Sequence, residues 1–432
     1  MTVPESSSPA SASPAPSSSA PPSSIVTAAE QAVLDLISVD ALVSTAQRLV
    51  RAPGENPPGQ EAATAAVLGE LAAELGLEHT AYDVVEGRPN VTVTLPGAGR
   101  VGADWADQDA PPGLLVLGHT DVVPVGDGWT VDPFAAVLHD GRLFGRGATD
   151  MKGGLASALI AMSALRKAGV PLRGPVHLVA LMDEEQNGLG VQDWIARSHP
   201  ALLGCIVAEP TDLQTIIAAR GASYLSISVQ GQAAHAGRPD DGRNAIYGAA
   251  TIISDLERWH HEYAADPHPL VGAPTFNVGV VAGGTGGSVV PAECRIEVDR
   301  RLMPGESGAS MLAGVRERMA TLGLEDRGLT WSVESPMDMP GFETAPEDPF
   351  VSLVDAALDA AGGPGQPLGG WTAACDGGHV AQRWDVPVLV LGPGSVNDQA
   401  HRADESVGVD ELVVAARCYA LAALRLLGGP AA

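Results

Sequence analysis

An α/β fold in two parts is what this sequence predicts: a central, mostly parallel sheet flanked by helices, with a ferredoxin-like unit inserted into it. Three observations carry the prediction. The 432 residues are long for a single core. Strand, loop and helix alternate up to Gly221 and resume after Pro336, the rhythm of an α/β layer fold. Between those points the order changes to β-α-β-β-α-β, that of a ferredoxin-like unit. The chain therefore divides into a tail (1–24), a first part of the larger domain (25–221), the inserted unit (222–335), and a second part (336–432).

In chain order, the opening Ser, Pro and Ala run has no basic start and no apolar stretch. It is not a secretory signal, and it cannot bury enough apolar surface to order itself. Helical spacing of apolar residues predicts one amphipathic helix from Ala28 to Val50 and another over EAATAAVLGELAAELG after the loop Ala52–Gln60. NVTVTL (90–95) reads as a strand. GAGRVG (97–102) matches a GxGxxG pattern, but a dinucleotide site would need a helix next, and ADWADQDAPP has no helical period. The run is a tight turn. GLLVLGHTDVVP is a buried strand entering a loop, and Met151 to Gly169 is a helix.

In the inserted unit, SYLSISVQG, TFNVGVVAGG, AECRIEVDRRLM and LTWSVES are strands. Asn244 to Ala264 and SGASMLAGVRERMATLG are the two helices. FVSLVDAALDAAG, VPVLVLGPG and Val409 to Leu427 then supply helix, strand and helix to complete the larger domain.

Composition narrows the function. A formal charge of -27 argues against nucleic acid, since phosphate contacts need clustered Lys and Arg. No window approaches the roughly 18 consecutive apolar residues of a membrane span. The four cysteines, Cys205, Cys294, Cys375 and Cys418, form no CxxC pair, which fits reduced thiols and a cytoplasmic protein. GxSxG and GxxxxGK[ST] are both absent.

Acidic residues and histidines recur at strand ends. GHTD places His119 and Asp121 two apart, facing one side of an extended chain. GRGATDMKGG places Asp150 before a helix, where a capping role is the plain alternative. LMDEEQNG ends an apolar run with Glu184 and Glu185; VAEPTD does so with Glu209, and NDQAHRADES follows another strand with His401. Singly, each reads as a solvated strand end. Together they lie at the strand edge where open α/β sheets place their sites. Imidazole and carboxylate donors without thiolates suit zinc, cobalt or manganese, and a shared carboxylate suits a two-metal hydrolytic centre.

These motifs, in this order, resemble the metal-dependent amidohydrolase and peptidase family of acetylornithine deacetylase, succinyl-diaminopimelate desuccinylase, aminoacylase and bacterial glutamate carboxypeptidase. The resemblance runs from about Ala28 to Leu427. It implies two divalent metal ions, zinc first and cobalt as the alternative. His119, Asp150 and Glu209 would hold one, and His401, Asp150 and Glu185 the other. Asp121 would orient His119, and Glu184 would be the general base. The inserted unit would be a lid and dimerisation domain. GQAAHAGRPDDGRNA would supply His235 to the partner subunit's site, while Asn277 and Arg301 would sit near the substrate carboxylate and carbonyl. The resemblance thus implies a homodimer acting on a small N-acyl amino acid, with a dipeptidase or glutamate-carboxypeptidase-like metallopeptidase using the same centre as the alternative. One loop departs from the family's GGT-D pattern: it reads WTAACDGGHV, with Ala373 and Ala374 in place of the glycines before Cys375, Asp376 and His379.

Overall fold

A computed structural model describes residues 24–97, 111–197 and 201–428. The first 23 residues of the tail and most of the GAGRVG turn lie outside the described residues.

The amphipathic stretch expected as one helix is two, Ala28–Leu34 and Val39–Arg51. Each has its own cap. Thr27 and Glu30 form a reciprocal capping box, and the Ser38 side chain accepts from the amide of Ala41. A Ser that satisfies free first-turn N–H groups starts a new helix even where the apolar period continues across it.

Three parallel strands, Gly113–His119, Val176–Leu181 and Leu202–Val207, form the centre of a nine-stranded sheet. Val388–Val390 joins them in parallel. Glu78–Val85 and Arg88–Leu95 flank them antiparallel on one side, Ile216–Ala219 and Phe342–Glu343 antiparallel on the other, where the ninth strand, Gly369–Trp371, lies parallel to Ile216–Ala219. The central strands read as continuous apolar runs because both faces are covered. Leu114, Val116, Leu178, Ala180 and Ile206 join a core with the terminal helix Val409–Leu427 and with Gly153–Ala168. Their neighbours Leu115, Leu117, Val179, Leu181 and Val207 pack with Trp194 and Val380.

Register decides where the strands end. His119 pairs with Leu181, and Leu117 with Val207. The three strands therefore stop together, which brings His119, the Asp183–Glu185 turn and Glu209 onto one edge. A second, three-stranded sheet, invisible to the periodicity reading, consists of Val137–His139, Arg142–Phe144 and Ser406–Gly408. It pairs Phe144 with Ser406 and so ties the loop carrying Asp150 to the loop carrying His401.

The chain leaves the large sheet after Ile216–Ala219 and rejoins it at Phe342–Glu343. In between it forms a four-stranded antiparallel sheet from Gly221–Gln230, Thr275–Gly283, Glu293–Leu302 and Thr330–Met339. Helices Ala245–Tyr263 and Gly308–Ala320 cover one face, with Leu225, Ile227, Ile296, Val298 and Val315 in a separate core. The connectivity is the expected βαββαβ. The last strand continues beyond Ser335 to Met339 through an irregularity between Glu334 and Met337. Among the described residues no helix is long and apolar enough to cross a membrane.

One glycine fixes how near the helix after Asp150 comes to the strand edge. A Cβ on Gly154 would sit 2.2 Å from the carbonyl oxygen of Ala208, the residue before Glu209. Helix and strand end are thus in backbone contact, and a methyl group must force them apart. Gly154→Ala is expected to destabilise the fold by about 1–3 kcal/mol, read as a lower thermal midpoint than the wild type in the same buffer. An unchanged midpoint would show that the helix shifts freely.

Candidate metal centre

The strand edge gathers His119, Asp150, Glu184, Glu185, Glu209 and His401. His119 Nε2 lies 3.2 Å from Asp150 Oδ1 and 3.3 Å from Glu209 Oε1. His401 Nε2 lies 3.3 Å from Asp150 Oδ2 and 3.2 Å from Glu185 Oε2. Asp150 thus turns one oxygen to each histidine. Donor atoms of His119, Glu184 and Glu209 converge on one point, and those of His119, Asp150 and Glu185 on another.

The proton on His119 can be assigned from its bonding. Nδ1 is 2.9 Å from the backbone carbonyl of Asp121. A carbonyl only accepts, so Nδ1 donates and a neutral ring presents a lone pair at Nε2. That lone pair faces two carboxylate oxygens, which also only accept; with no ion between them a second proton sits on Nε2 instead, and although burial opposes it, the Glu209 charge and the bonds to Asp121, Asp150 and Glu209 raise the ring well above its ordinary value. A cation between them resolves the conflict, and metal-bound histidines commonly donate their other ring N–H in this way. The Asp121 carboxylate is farther from Nδ1, at 3.5 Å. It accepts instead from the amides of Glu184 (3.2 Å) and Glu185 (3.0 Å) and from Asn56 Nδ2 (3.0 Å). Asp121 therefore orients the acidic pair with its side chain and the imidazole with its main chain.

Charge points the same way. Burial, with the Asp150 charge beside it, pushes the Glu209 carboxyl up to about 8. Burial also pushes Glu184 well above the usual range, and the charges of Glu209, Asp376 and Glu185 add to it. Hydrogen bonds to Asp150 and Glu185 carry His401 up to about 10. Asp150 is held below its ordinary value: burial opposes this, but bonds from His119 and His401 outweigh it. Glu185 Oε1 is buried without a hydrogen-bond partner. Buried carboxylates in this number, with two imidazoles and no Lys or Arg bonded to them, fit oxygen- and nitrogen-liking divalent ions.

Partners that sequence reasoning missed hold the loops. Glu405, fully buried, accepts from Arg146 (2.6 Å) and from the amides of Gly147 (3.1 Å), Thr149 (2.9 Å) and Asp150 (3.0 Å). It lies in NDQAHRADES with His401, four residues on, and nothing in that run marks it as buried. Asn56 donates to both Asp121 and Asp183 (2.9 Å), and Arg88 also donates to Asp183 (2.9 Å). Asp183 needs such support: its φ of 67° lies in the left-handed region, as does the 63° of His401. Nothing local in PGENPPG announces Asn56.

A cavity of about 300 Å³ opens from this cluster. Arg301 lines it. His235 and Asn277 do not: both are exposed on the smaller unit, Asn277 along a separate groove with Leu225 and Val280. Asp376 and His379 are buried, and burial pushes Asp376 up to about 7. Cys375 is buried, and burial raises its thiol well above the ordinary value.

Removing one acceptor from Glu405 should loosen the Asp150 loop without touching the cluster. Glu405→Gln is expected to weaken metal binding about 10- to 100-fold, measured by competition with a coloured chelator. Unaltered affinity would mean that the three amides hold the loop without their shared carboxylate.

The model of the peptidase family M20/M25/M40 matches residues 115–425. An acetylornithine deacetylase of Klebsiella pneumoniae is 35% identical over 304 residues, which is 68% of this chain and 75% of that protein. Among solved structures, aminopeptidase PepT of Bacillus cereus superposes with a TM-score of 0.70 at 22% identity, over 90% of this chain and 100% of the other. The metallo-carboxypeptidase Sso-CP2 of Sulfolobus solfataricus gives 0.71 at 19%, over 88% and 98%. YXEP of Bacillus subtilis, described as a dinuclear metal-binding peptidase, gives 0.66 at 16%, over 90% and 98%. These superpositions establish a shared fold. With the family match and the deacetylase identity, they make this chain a member of the M20/M25/M40 peptidase family, a hydrolase of amide or peptide bonds.

Proposed function

We propose that this protein hydrolyses the amide bond of a small N-acyl amino acid with two divalent metal ions, zinc or cobalt. The observation that carries the proposal is Asp150, whose two oxygens face two separate donor sets. His119 and Glu209 complete one; His401 and Glu185 complete the other. The 35% identity to an acetylornithine deacetylase favours an acyl amide over a dipeptide. The dipeptide reading keeps the same centre.

Ions held there would supply Lewis acidity, polarising the scissile carbonyl and making water a better acid. The residues do the rest. Glu184, half-buried at the cavity wall, takes a proton from the attacking water and returns it to the departing amine. Burial, with the charges of Glu209, Asp376 and Glu185, holds its carboxyl well above the ordinary value, which makes it a stronger base than a free glutamate. Asp121 keeps Glu184 in place through the Glu184 amide. Arg301 lines the cavity and receives the substrate carboxylate. His235 and Asn277, exposed on the smaller unit, act from the partner subunit of a homodimer, for which that unit is the lid and contact domain. Val280 and Val281, about half exposed on the edge strand Thr275–Gly283, supply an apolar strip for that contact.

Glu184 also stands among the donors near His119 and Glu209, so its test must separate base from ligand. Glu184→Gln is expected to retain its full metal content by elemental analysis while kcat falls at least about 100-fold. Loss of one metal per chain would make Glu184 a ligand instead.

Action in trans has its own test. His235→Ala and Glu184→Gln are each expected to be nearly inactive. Mixed and allowed to exchange subunits, they should recover about a quarter of wild-type activity, because half the dimers then contain one intact site. No recovery, with exchange verified, would place His235 outside catalysis or in its own subunit's site.

A further inference from the structure

We infer that the enzyme selects acyl amino acids whose side chain is uncharged and apolar, and discriminates against those ending in an ammonium group. The inference rests on the deacylase reading above and on the placement of Arg301.

The smaller sheet presents its uncovered face to the cavity. Arg301 pairs across the strands with Ala222, and Ala222 with Met339. The next row of that face, two residues along each strand, is Asp299, Tyr224 and Met337. A substrate carboxylate on Arg301 therefore lays the rest of the amino acid over Ala222, Met339 and Met337. These three form a small apolar cluster of their own, with Ala374 packed against it. Ala374 belongs to the loop that departs from the family's glycine pattern, and its methyl group extends the apolar wall.

No counter-ion waits there for a cationic side chain. Beyond the Asp, Glu and His of the metal cluster, Arg301 is the sole charged residue among those lining the cavity. Asp299, the one carboxylate in the two rows, is engaged by Arg301 through two bonds, Nε to Oδ1 at 2.9 Å and Nη2 to Oδ2 at 3.0 Å. Asp150, Glu185 and Glu209 would face the ions, and Glu184 the attacking water. An ammonium group on the Met337–Met339 wall would lose water and meet no opposite charge there, with only the uncharged oxygens of Tyr224 and Gln186 in the lining to accept from it, whereas a butyl or thioether chain gains contact. The cavity of about 300 Å³ accommodates a side chain of that size.

The test uses an isosteric pair on the metal-loaded full-length enzyme: N-acetyl-L-norleucine, whose side chain ends in methyl, and N-acetyl-L-ornithine, of equal length and ending in ammonium. Norleucine is expected to exceed ornithine in kcat/KM by about tenfold or more. Met337→Glu should narrow that ratio by about tenfold, while Met337→Gln, equally polar in shape but uncharged, should not. Ornithine cleaved as well as norleucine, or better, overturns the selectivity and leaves the deacylase reading standing. Cleavage of neither compound, with metal content verified, overturns the deacylase reading and the selectivity with it.

Discussion

Everything in this molecule is arranged around a set of buried carboxylates that repel one another. Asp150, Glu185 and Glu209 share a strand edge with Glu184, and Asp121, Asp183 and Asp376 lie buried nearby. Unpaired ions in a low-dielectric interior are too unfavourable to persist. The inner acids are left to the two histidines and to the ions they would share. Three outer acids find donors in the chain: Asp121 takes two amides and Asn56, Asp183 takes Asn56 and Arg88, and Glu405 takes Arg146 and three amides, whereas both oxygens of Asp376 are buried without a hydrogen-bond partner. The division is chemically sensible. Donors that satisfy a carboxylate also immobilise it, so these three acids become struts while the inner ones stay free to bind.

Those struts are spread over the whole chain, and that explains the topology. Asn56 lies before the first strand and Glu405 after the last strand of the large sheet, yet each is bonded to the turns that carry the ligands. The small sheet Val137–His139, Arg142–Phe144, Ser406–Gly408 does the same at the backbone level. It joins the segment leading to Asp150 with the segment leaving His401, two positions separated by most of the sequence. The inserted unit can leave and return between them without disturbing the centre, because both of its ends meet neighbouring strands, Ile216–Ala219 and Phe342–Glu343.

What was legible in the sequence follows from how local each signal is. His119, Glu184, Glu185 and Glu209 stand at the ends of apolar runs, Asp150 just before a helix and His401 in the loop after a strand, so each is found near the end of an element that carries its own period. The β-α-β-β-α-β order was equally plain, because each element there carries its own period. Legibility failed where one segment's meaning depends on a distant one. Strands of three residues such as Arg142–Phe144 are too short for a period, and exist because Ser406–Gly408 comes beside them. The strand Glu78–Val85 is mostly exposed and shows no apolar alternation. Asn56 is an ordinary loop residue until the fold places it between two aspartates. The break before Ser38 was readable from its cap, but the apolar period running across it was given more weight. The role of Asp121 was half seen: spacing placed it beside His119, but only the fold shows its carboxylate holding the amides of the next strand's turn.

In the proposed reading, chemistry and selectivity are carried by different sheets. The large sheet holds His119, Glu184, Glu185 and Glu209 at its strand ends, while Asp150 and His401 come from loops tied together by the three-stranded sheet; register leaves the strand ends no freedom, since a one-residue slip of Val176–Leu181 would move the Glu184–Glu185 turn and reverse every buried side chain of that strand. The smaller sheet meets the cavity through side chains on its uncovered face, and these have no part in its core, which lies on the opposite, helix-covered face. Ala222, Met337 and Met339 are therefore under little structural obligation to the unit that bears them. Substitutions there alter the wall that touches the substrate while leaving Leu225, Ile227 and Val298 to hold the unit together. The metal cluster and this wall are built on separate cores and meet across the cavity, so the wall can change while the cluster is kept.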